Sequence, residues 1–402
     1  MAAVSLLEIG IALTAIALAG TLALRVGLSV IPAYILVGIL VGPNEPTAIG
    51  MVPLTLVEHS EFVDLLAELG IVFLLFFLGL EFSIGQLLDD RARIATIGSL
   101  DFVVNFGLGV ALGVAFGYSL LETLFIAGIV YISSSAVITK SLIDNGWVAN
   151  RESSPILGTL VFEDVLIAVY LALLSAVALG EGSTTDAAIS VGVAFVFLGA
   201  LTLVAFYGTE QLERAFETDS DELFLLRILS ITTLVAGAAL AAGLSEAVAA
   251  FFVGTAFSAT GHVGRIENVV TPARDFFAAV FFFAIGLTTD VTLLPEVAWL
   301  LLAAVVLTTA GKLVSGTVSG SVYDLSRVRS VRVGLGLVPR GEFSLVLAAL
   351  ATSVGTGALG TVIPAFAVGY VLVMSILGTV LIQNASLLET GLARLWASET
   401  NE

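Results

Sequence analysis

The chain has 402 residues, 58% of them hydrophobic and 12% charged, with a mean hydropathy of +1.10. Soluble domains run roughly 45–50% apolar and about 25% charged, so this chain could not cover its surface with polar side chains, and disorder is excluded on the same grounds. Its 33 acidic residues against 15 basic ones (net charge −18) exclude a nucleic-acid binder, and the absence of cysteine excludes disulfides, thiolate metal sites and cysteine nucleophiles.

The class is therefore an all-α polytopic membrane protein. A crossing helix needs about 20 mostly apolar residues at 1.5 Å rise each. Thirteen spans are expected, at 4–24, 29–43, 61–80, 94–117, 120–142, 154–179, 186–207, 223–242, 244–260, 272–288, 296–320, 329–352 and 361–386. Glu8 interrupts the first apolar run and no basic stretch precedes it, so it reads as a span and not as a cleavable signal. In the fourth span Asp101 and Asn105 lie one turn apart, placed either to line a cavity or to hydrogen-bond a neighbouring helix.

The fifth span, FIAGIVYISSSAVITKSLID, is interrupted by Ser133, Ser134, Ser135 and Thr139. Such side chains compete for backbone hydrogen bonds and mark either unwinding or close small-residue packing. The sixth, PILGTLVFEDVLIAVYLALLSAV, holds adjacent carboxylates, Glu163 and Asp164. If that helix starts near Ser154, Asp164 lies roughly 15 Å in, half of a ~30 Å hydrocarbon core. Neighbours on a helix point about 100° apart, so one acid can face a cavity while the other pairs sideways. The longest polar stretch, around Gly208 to Glu222, reads as a loop, as do the positions of His59 and His262; Glu246 is expected at the outer surface.

The eleventh span contains Lys312, the natural counter-charge for an ion-pair strut to one carboxylate. The other acid would then be unmatched, and an unmatched intramembrane carboxylate points to a cation or proton site. In the twelfth span, VRVGLGLVPRGEFSLVLAAL, Gly334, Gly336, Pro339 and Gly341 surround Arg340 and Glu342. Proline removes a helix donor, so this span is expected to break beside two opposite charges. A kink in which Arg340 and Glu342 pair with each other is the structural alternative. The breaks in spans five and twelve occupy corresponding places if spans 1–6 and 8–13 are halves joined by span seven, and such matched breaks point to a transporter site built from inverted repeats.

Thirteen of the fifteen basic residues fall in or beside alternate loops: Arg25, Arg91, Arg93, Lys140, Arg151, Arg214, Arg227, Arg265, Arg274, Arg327, Arg329, Arg332 and Arg394. The opposite loops carry acids, among them Glu45, Glu58, Glu181, Asp186, Asp290 and Glu296. The positive-inside rule places the N-terminus outside and the C-terminus in the cytoplasm of a multi-pass cell-membrane protein. The acidity, and the thirteen arginines against two lysines, suggest a high-salt setting or an acidic exterior.

Taken in order, GLEFSIGQL (79–87), SSSAVITK (133–140), VFEDV (161–165), GLSEAVAAFFVGTAFS (243–258), FFFAIGLTTD (281–290), GKLVSG (311–316) and RGEFSLV (340–346) give the chain a resemblance over nearly its whole length. It resembles the second family of monovalent cation:proton antiporters, which includes Kef-type potassium/proton and NapA-type sodium/proton systems. The resemblance implies an inverted-repeat (NhaA-like) sodium/proton antiporter fold with two crossed discontinuous helices. It implies a core ion-translocating part at about 94–179 and 294–390, moving against a dimerisation part at about 1–93 and 223–290. Asp164 matches the aspartate that binds cation or proton, so a monovalent cation is expected there. Glu163 precedes it, where Kef-type chains have Gln and NapA-type chains Asp. Lys312 looks like the lysine that pairs with that preceding position, Arg340 and Glu342 support it, and Ser134 and Ser135 fall at the unwound crossing. A homodimer is implied, with AGAALAAG (236–243) allowing close helix approach. Kef-type chains carry a cytoplasmic nucleotide-binding domain after the membrane part; here the expectation is no soluble regulatory domain, and any regulatory subunit would be a separate cytoplasmic polypeptide.

The expected function is secondary exchange of Na⁺ or K⁺ for H⁺, not enzymatic and without a cofactor, since nothing resembles a nucleotide-binding motif. The alternatives are a cation channel, which would show a filter loop or carboxylate ring, and an intramembrane aspartyl protease, which would need a second aspartate opposite Asp164 and has no use for Lys312.

Overall fold

The computed structural model describes residues 6–49, 52–81, 91–147, 150–179, 209–241, 246–258 and 260–385. The expected span at 186–207 lies outside these residues, as do Glu181, Asp186, Arg394 and most of the 79–87 motif. Everything else is helical apart from a two-residue antiparallel ladder after the second helix, in which Ala48 pairs with Pro53 and Ile49 with Val52.

In chain order the helices are α1 (Leu6–Arg25), α2 (Val30–Val41), α3 (Glu61–Glu81), α4 (Arg91–Ala115), α5 (Leu120–Tyr131), α6 (Ser135–Asp144), α7 (Ser153–Leu179), α8 (Thr209–Phe216), α9 (Asp221–Ala241), α10 (Glu246–Ser258), α11 (Val263–Thr288), α12 (Leu294–Val322), α13 (Arg327–Gly336), α14 (Glu342–Val354) and α15 (Val362–Gln383). Among the described residues, eight helical segments are long and apolar enough to cross a membrane. They leave large apolar side chains uncovered, Leu22, Val103, Leu234 and Val306 among them. A bilayer is the solvent in which such a surface costs nothing, and helices satisfy their backbone groups internally there.

Both interrupted spans are broken as expected. The fifth runs as α5, an extended stretch at 132–134, then α6; the twelfth runs as α13, a stretch at 337–341, then α14. A capping box starts α5: Ser119 Oγ accepts from the Glu122 N–H and the Glu122 carboxylate accepts from the Ser119 N–H. The tenth span differs from expectation. It begins at Val263 rather than 272 and runs through Pro272. Proline removes a single donor, and the polar first turns, with Arg265 and Asn268, are stable as helix because their side chains are solvated.

The chain groups into two compact units, one drawn from Met1–Leu18, Tyr34–Leu88 and Asp164–Thr288, the other from Ala19–Ala33, Asp89–Glu163 and Thr289–Glu402. In the first, α3 packs on α10 and α11. The approach is close enough that a Cβ on Gly79 would strike the Phe251 carbonyl, and one on Gly254 the Phe76 carbonyl. Ile16, Val41, Val57, Val280, Phe283 and Leu287 form its apolar cluster. In the second unit α4 packs on α5 and α12, α12 on α13 and α15, and α14 on α15 and α5. Ile138, Leu142, Ile156, Leu160, Val333 and Leu337 form an apolar cluster there, joining α6, α7 and the α13 end of the second break.

Candidate functional site

Apolar helices bury charge only where partners are supplied. In the second unit three helices each bring one charged side chain to the same place, and Asp101 of α4, Glu163 of α7 and Lys312 of α12 all have no exposed surface. The Lys312 ammonium donates to Asp101 Oδ2 at 2.6 Å and to Glu163 Oε1 at 2.6 Å. The lysine pairs with Glu163, as the resemblance implied, and with a second carboxylate as well.

The remaining oxygens of both acids have neutral donors. Glu163 Oε2 accepts from the Ser133 N–H at 2.6 Å, and Ser133 Oγ lies 3.0 Å from Oε1. Asp101 Oδ1 accepts from Ser315 Oγ at 2.7 Å and from Asn105 Nδ2 at 2.9 Å. The pattern has a local origin: Asp101 and Asn105 stand one turn apart on α4, Lys312 and Ser315 one turn apart on α12, so each helix offers one charged and one neutral group on one face. The Tyr131 ring, at the end of α5, sits 5.3 Å from the ammonium.

A second cluster is formed by the two helix breaks, which pack on each other: the Ser134 N–H donates to the Pro339 carbonyl at 2.9 Å, and Ser344 Oγ to the Ile129 carbonyl at 2.7 Å. Arg340, fully buried, donates from Nε to the Val130 carbonyl and from Nη1 to those of Leu337 and Val338 at 2.9 and 2.7 Å. These carbonyls end α5 and α13, where no helical donor remains and the helix dipole is negative. Glu342 does the converse. Its carboxylate accepts from Ser134 Oγ at 2.7 Å and Ser135 Oγ at 3.2 Å, beside the positive N-terminal ends of α6 and α14. Ser134 caps α6 in turn, its Oγ accepting from the Val137 N–H. Arg340 and Glu342 are thus engaged separately, one with carbonyl ends and one with hydroxyls at amide ends, and the self-paired kink is not what breaks the span.

Asp164 follows Glu163 on α7 and is half-buried; its side chain points about 100° away from that of Glu163. Of the residues singled out in the sequence, the structure brings Glu163 to Lys312, and Ser134 and Ser135 to Glu342. It adds Ser133, Asp101, Asn105 and Ser315, which the sequence reading did not assign. Their signal was present as polar residues at one-turn spacing in apolar spans. A further buried acid, Glu152, lies between α6 and α7 with Arg332 at 2.8 Å and Arg329 at 3.8 Å. Glu246 is half-buried at the start of α10. His59 lies in a loop 2.7 Å from Asp64, and His262 in a turn 3.1 Å from the Glu213 carbonyl.

With this geometry in view, residues 11–386 match the family model described as sodium/hydrogen exchanger, transmembrane. The chain is 39% identical, over 92% of its length and 91% of the relative's, to a Bacillus subtilis protein named K(+)/H(+) antiporter subunit KhtU. It is 30% identical, over 94% and 93% of the two chains, to the ammonium/H(+) antiporter subunit AmhT of Alkalihalophilus pseudofirmus. It is similar in fold, at 14% identity and a TM-score of 0.69 over 92% of this chain and 97% of the other, to the sodium proton antiporter MjNhaP1 of Methanocaldococcus jannaschii.

Proposed function

The chain belongs to the sodium/hydrogen exchanger transmembrane family, and from that premise we propose that it is a secondary antiporter exchanging a monovalent cation, Na⁺ or K⁺, for H⁺ by alternating access. The observation that carries this reading is the pair of helix breaks at 132–134 and 337–341, packed together with hydroxyls and a carboxylate inside an apolar helical unit. Irregular backbone at membrane depth is tolerated where it is buried in protein or lines a cavity, and there it supplies ion ligands.

In this mechanism Asp164 is the exchange group. Ionised, its carboxylate offers hard oxygen ligands to a cation; protonated, it is neutral and releases that cation. Exchange follows if the core part, about 94–179 and 294–390, moves against the dimerisation part, about 1–93 and 223–290, only with the site occupied. Glu163 and Lys312 hold the neighbouring charge, and Ser134 and Ser135 line the crossing. The protein acts as a homodimer in the cell membrane, N-terminus outside and C-terminus in the cytoplasm. The printed name of the Bacillus relative, a subunit, supports a separate regulatory polypeptide.

The test is dequenching of a pH dye in proteoliposomes with Na⁺, K⁺, Li⁺ and NH₄⁺ in turn. Asp164→Asn is expected to fold and insert and to lose coupled exchange completely, while Glu163→Gln keeps some exchange with altered charge per cycle. Robust proton-coupled flux in Asp164→Asn would remove the site assignment. Cation flux without proton coupling in the wild type would favour a channel, and proteolysis without flux would favour a protease.

A further inference from the structure

We propose that Asp101 holds a proton in the resting protein, making the Asp101–Lys312–Glu163 cluster a proton-binding site distinct from Asp164. The first ground is charge. Two carboxylates and one ammonium, all without exposed surface, sum to one uncompensated negative charge. The other donors to the two acids are neutral: the Ser133 amide and hydroxyl, the Ser315 hydroxyl and the Asn105 amide. Among the described residues, the other titratable or charged groups facing the cluster are Tyr131, whose ring lies 5.3 Å from the ammonium, and Arg340, one carbonyl removed. Ser133 Oγ and Arg340 Nη1 both reach the Leu337 carbonyl, but the guanidinium spends its bonds on helix ends. A buried net charge is relieved by taking up a proton.

The second ground says which acid takes it. Glu163 Oε2 faces a backbone N–H, a donor that cannot become an acceptor. Asp101 Oδ1 faces a hydroxyl and a primary amide, both of which can reverse roles. The Asn105 amide is already imperfectly placed: its Oδ1 is buried without a hydrogen-bond partner. Turned over, the amide would set its oxygen about where Nδ2 now stands, 2.9 Å from Asp101 Oδ1. Two oxygens at that distance require a proton between them. A proton from water added to Asp101 Oδ1 would thus be donated to Asn105 or Ser315, and Lys312 would remain an ammonium paired with Glu163. Both carboxylates hold the ammonium in its charged form, so the exchangeable proton of this cluster belongs to the acid and not to the lysine.

The proposal rests on the antiporter reading only in treating Asp164 as the group that exchanges with the cation, and its test needs no transport. Infrared difference spectra would be recorded on lipid-reconstituted protein stepped between acidic and alkaline pH, in an Asp164→Asn background. A protonated-carboxyl C=O band amounting to one proton per chain is expected to persist there. It should shift when aspartate, and not glutamate, carries ¹³C at its carboxyl, and vanish when Asp101→Asn is added. Glu163→Gln in the same background should also abolish it, because the cluster is then neutral with Asp101 ionised, and this variant decides the matter if Asp101→Asn does not fold. A band unchanged in either double variant, a band that moves with glutamate labelling alone, or no band in Asp164→Asn would each overturn the proposal. Loss of transport in the wild type with these spectra intact would instead count against the antiporter reading.

Discussion

In the unit built around α3, α10 and α11, helices meet backbone to backbone through glycine, and its ion pairs are at least partly exposed: Arg265 with Asp221 at 2.8 Å, Arg274 with Asp275 at 2.7 Å. In the unit built around α4, α12 and the two breaks, helices meet through charge. All six buried charged side chains among the described residues, Asp101, Glu152, Glu163, Lys312, Arg340 and Glu342, belong to this second unit. Backbone contact through glycine gains dispersion contacts and asks nothing of solvation, so it suits a scaffold. Buried ion clusters rarely add net stability over apolar packing; their concentration in one unit is therefore better read as chemistry retained at a stability cost.

The sharpest way to break this contrast is Lys312→Met. It leaves Asp101 and Glu163 buried without their ammonium, and a loss of about 3–5 kcal/mol is expected in thermal or denaturant unfolding. Adding Asp101→Asn and Glu163→Gln should recover much of it; a single variant as stable as the wild type would mean the cluster is wet and not dry. Next comes Arg340→Leu. Hydrogen bonds to charged groups are worth about 1.5–3 kcal/mol each, so uncapping the ends of α5 and α13 should cost about 3 kcal/mol, with faster hydrogen exchange confined to the breaks. Uniform exchange across the unit would argue against a capping role.

In the glycine-packed unit, Gly79→Val should cost about 1–3 kcal/mol by overpacking while leaving the proton-to-cation ratio of the surviving activity unchanged. A changed ratio would erase the division of labour. Smallest is Arg265→Gln, whose pairing with exposed Asp221 should be worth less than about 1 kcal/mol and fade with added salt. A large, salt-insensitive loss would show that this unit too depends on charge.

Much of the architecture was legible because its causes are local. Runs of apolar residues long enough for a bilayer mark the helices, Ser133–Ser135 and the Gly334–Gly341 region mark the breaks, and Glu163 and Asp164 are conspicuous in an apolar span. The start of α11 was misplaced because a solvated helix continuing past the hydrocarbon carries no apolar signal, and Pro272 resembles a boundary when it is merely a tolerated gap in the donor series.

What pairs with what was another matter. Helix existence, length and interruption follow from side-chain chemistry within a turn or two, so composition and spacing suffice for them. Lys312 meets Asp101 across 211 residues of chain and Glu163 across 149, and no local rule says which of two acids a lysine reaches, or that it reaches both. Arg340 and Glu342, two positions apart, look like natural partners in the sequence, yet folding delivers four helix ends to them. The dipoles and unsatisfied carbonyls of those ends exist only once the two breaks have been packed together, and that electrostatic field assigns the two charges their roles.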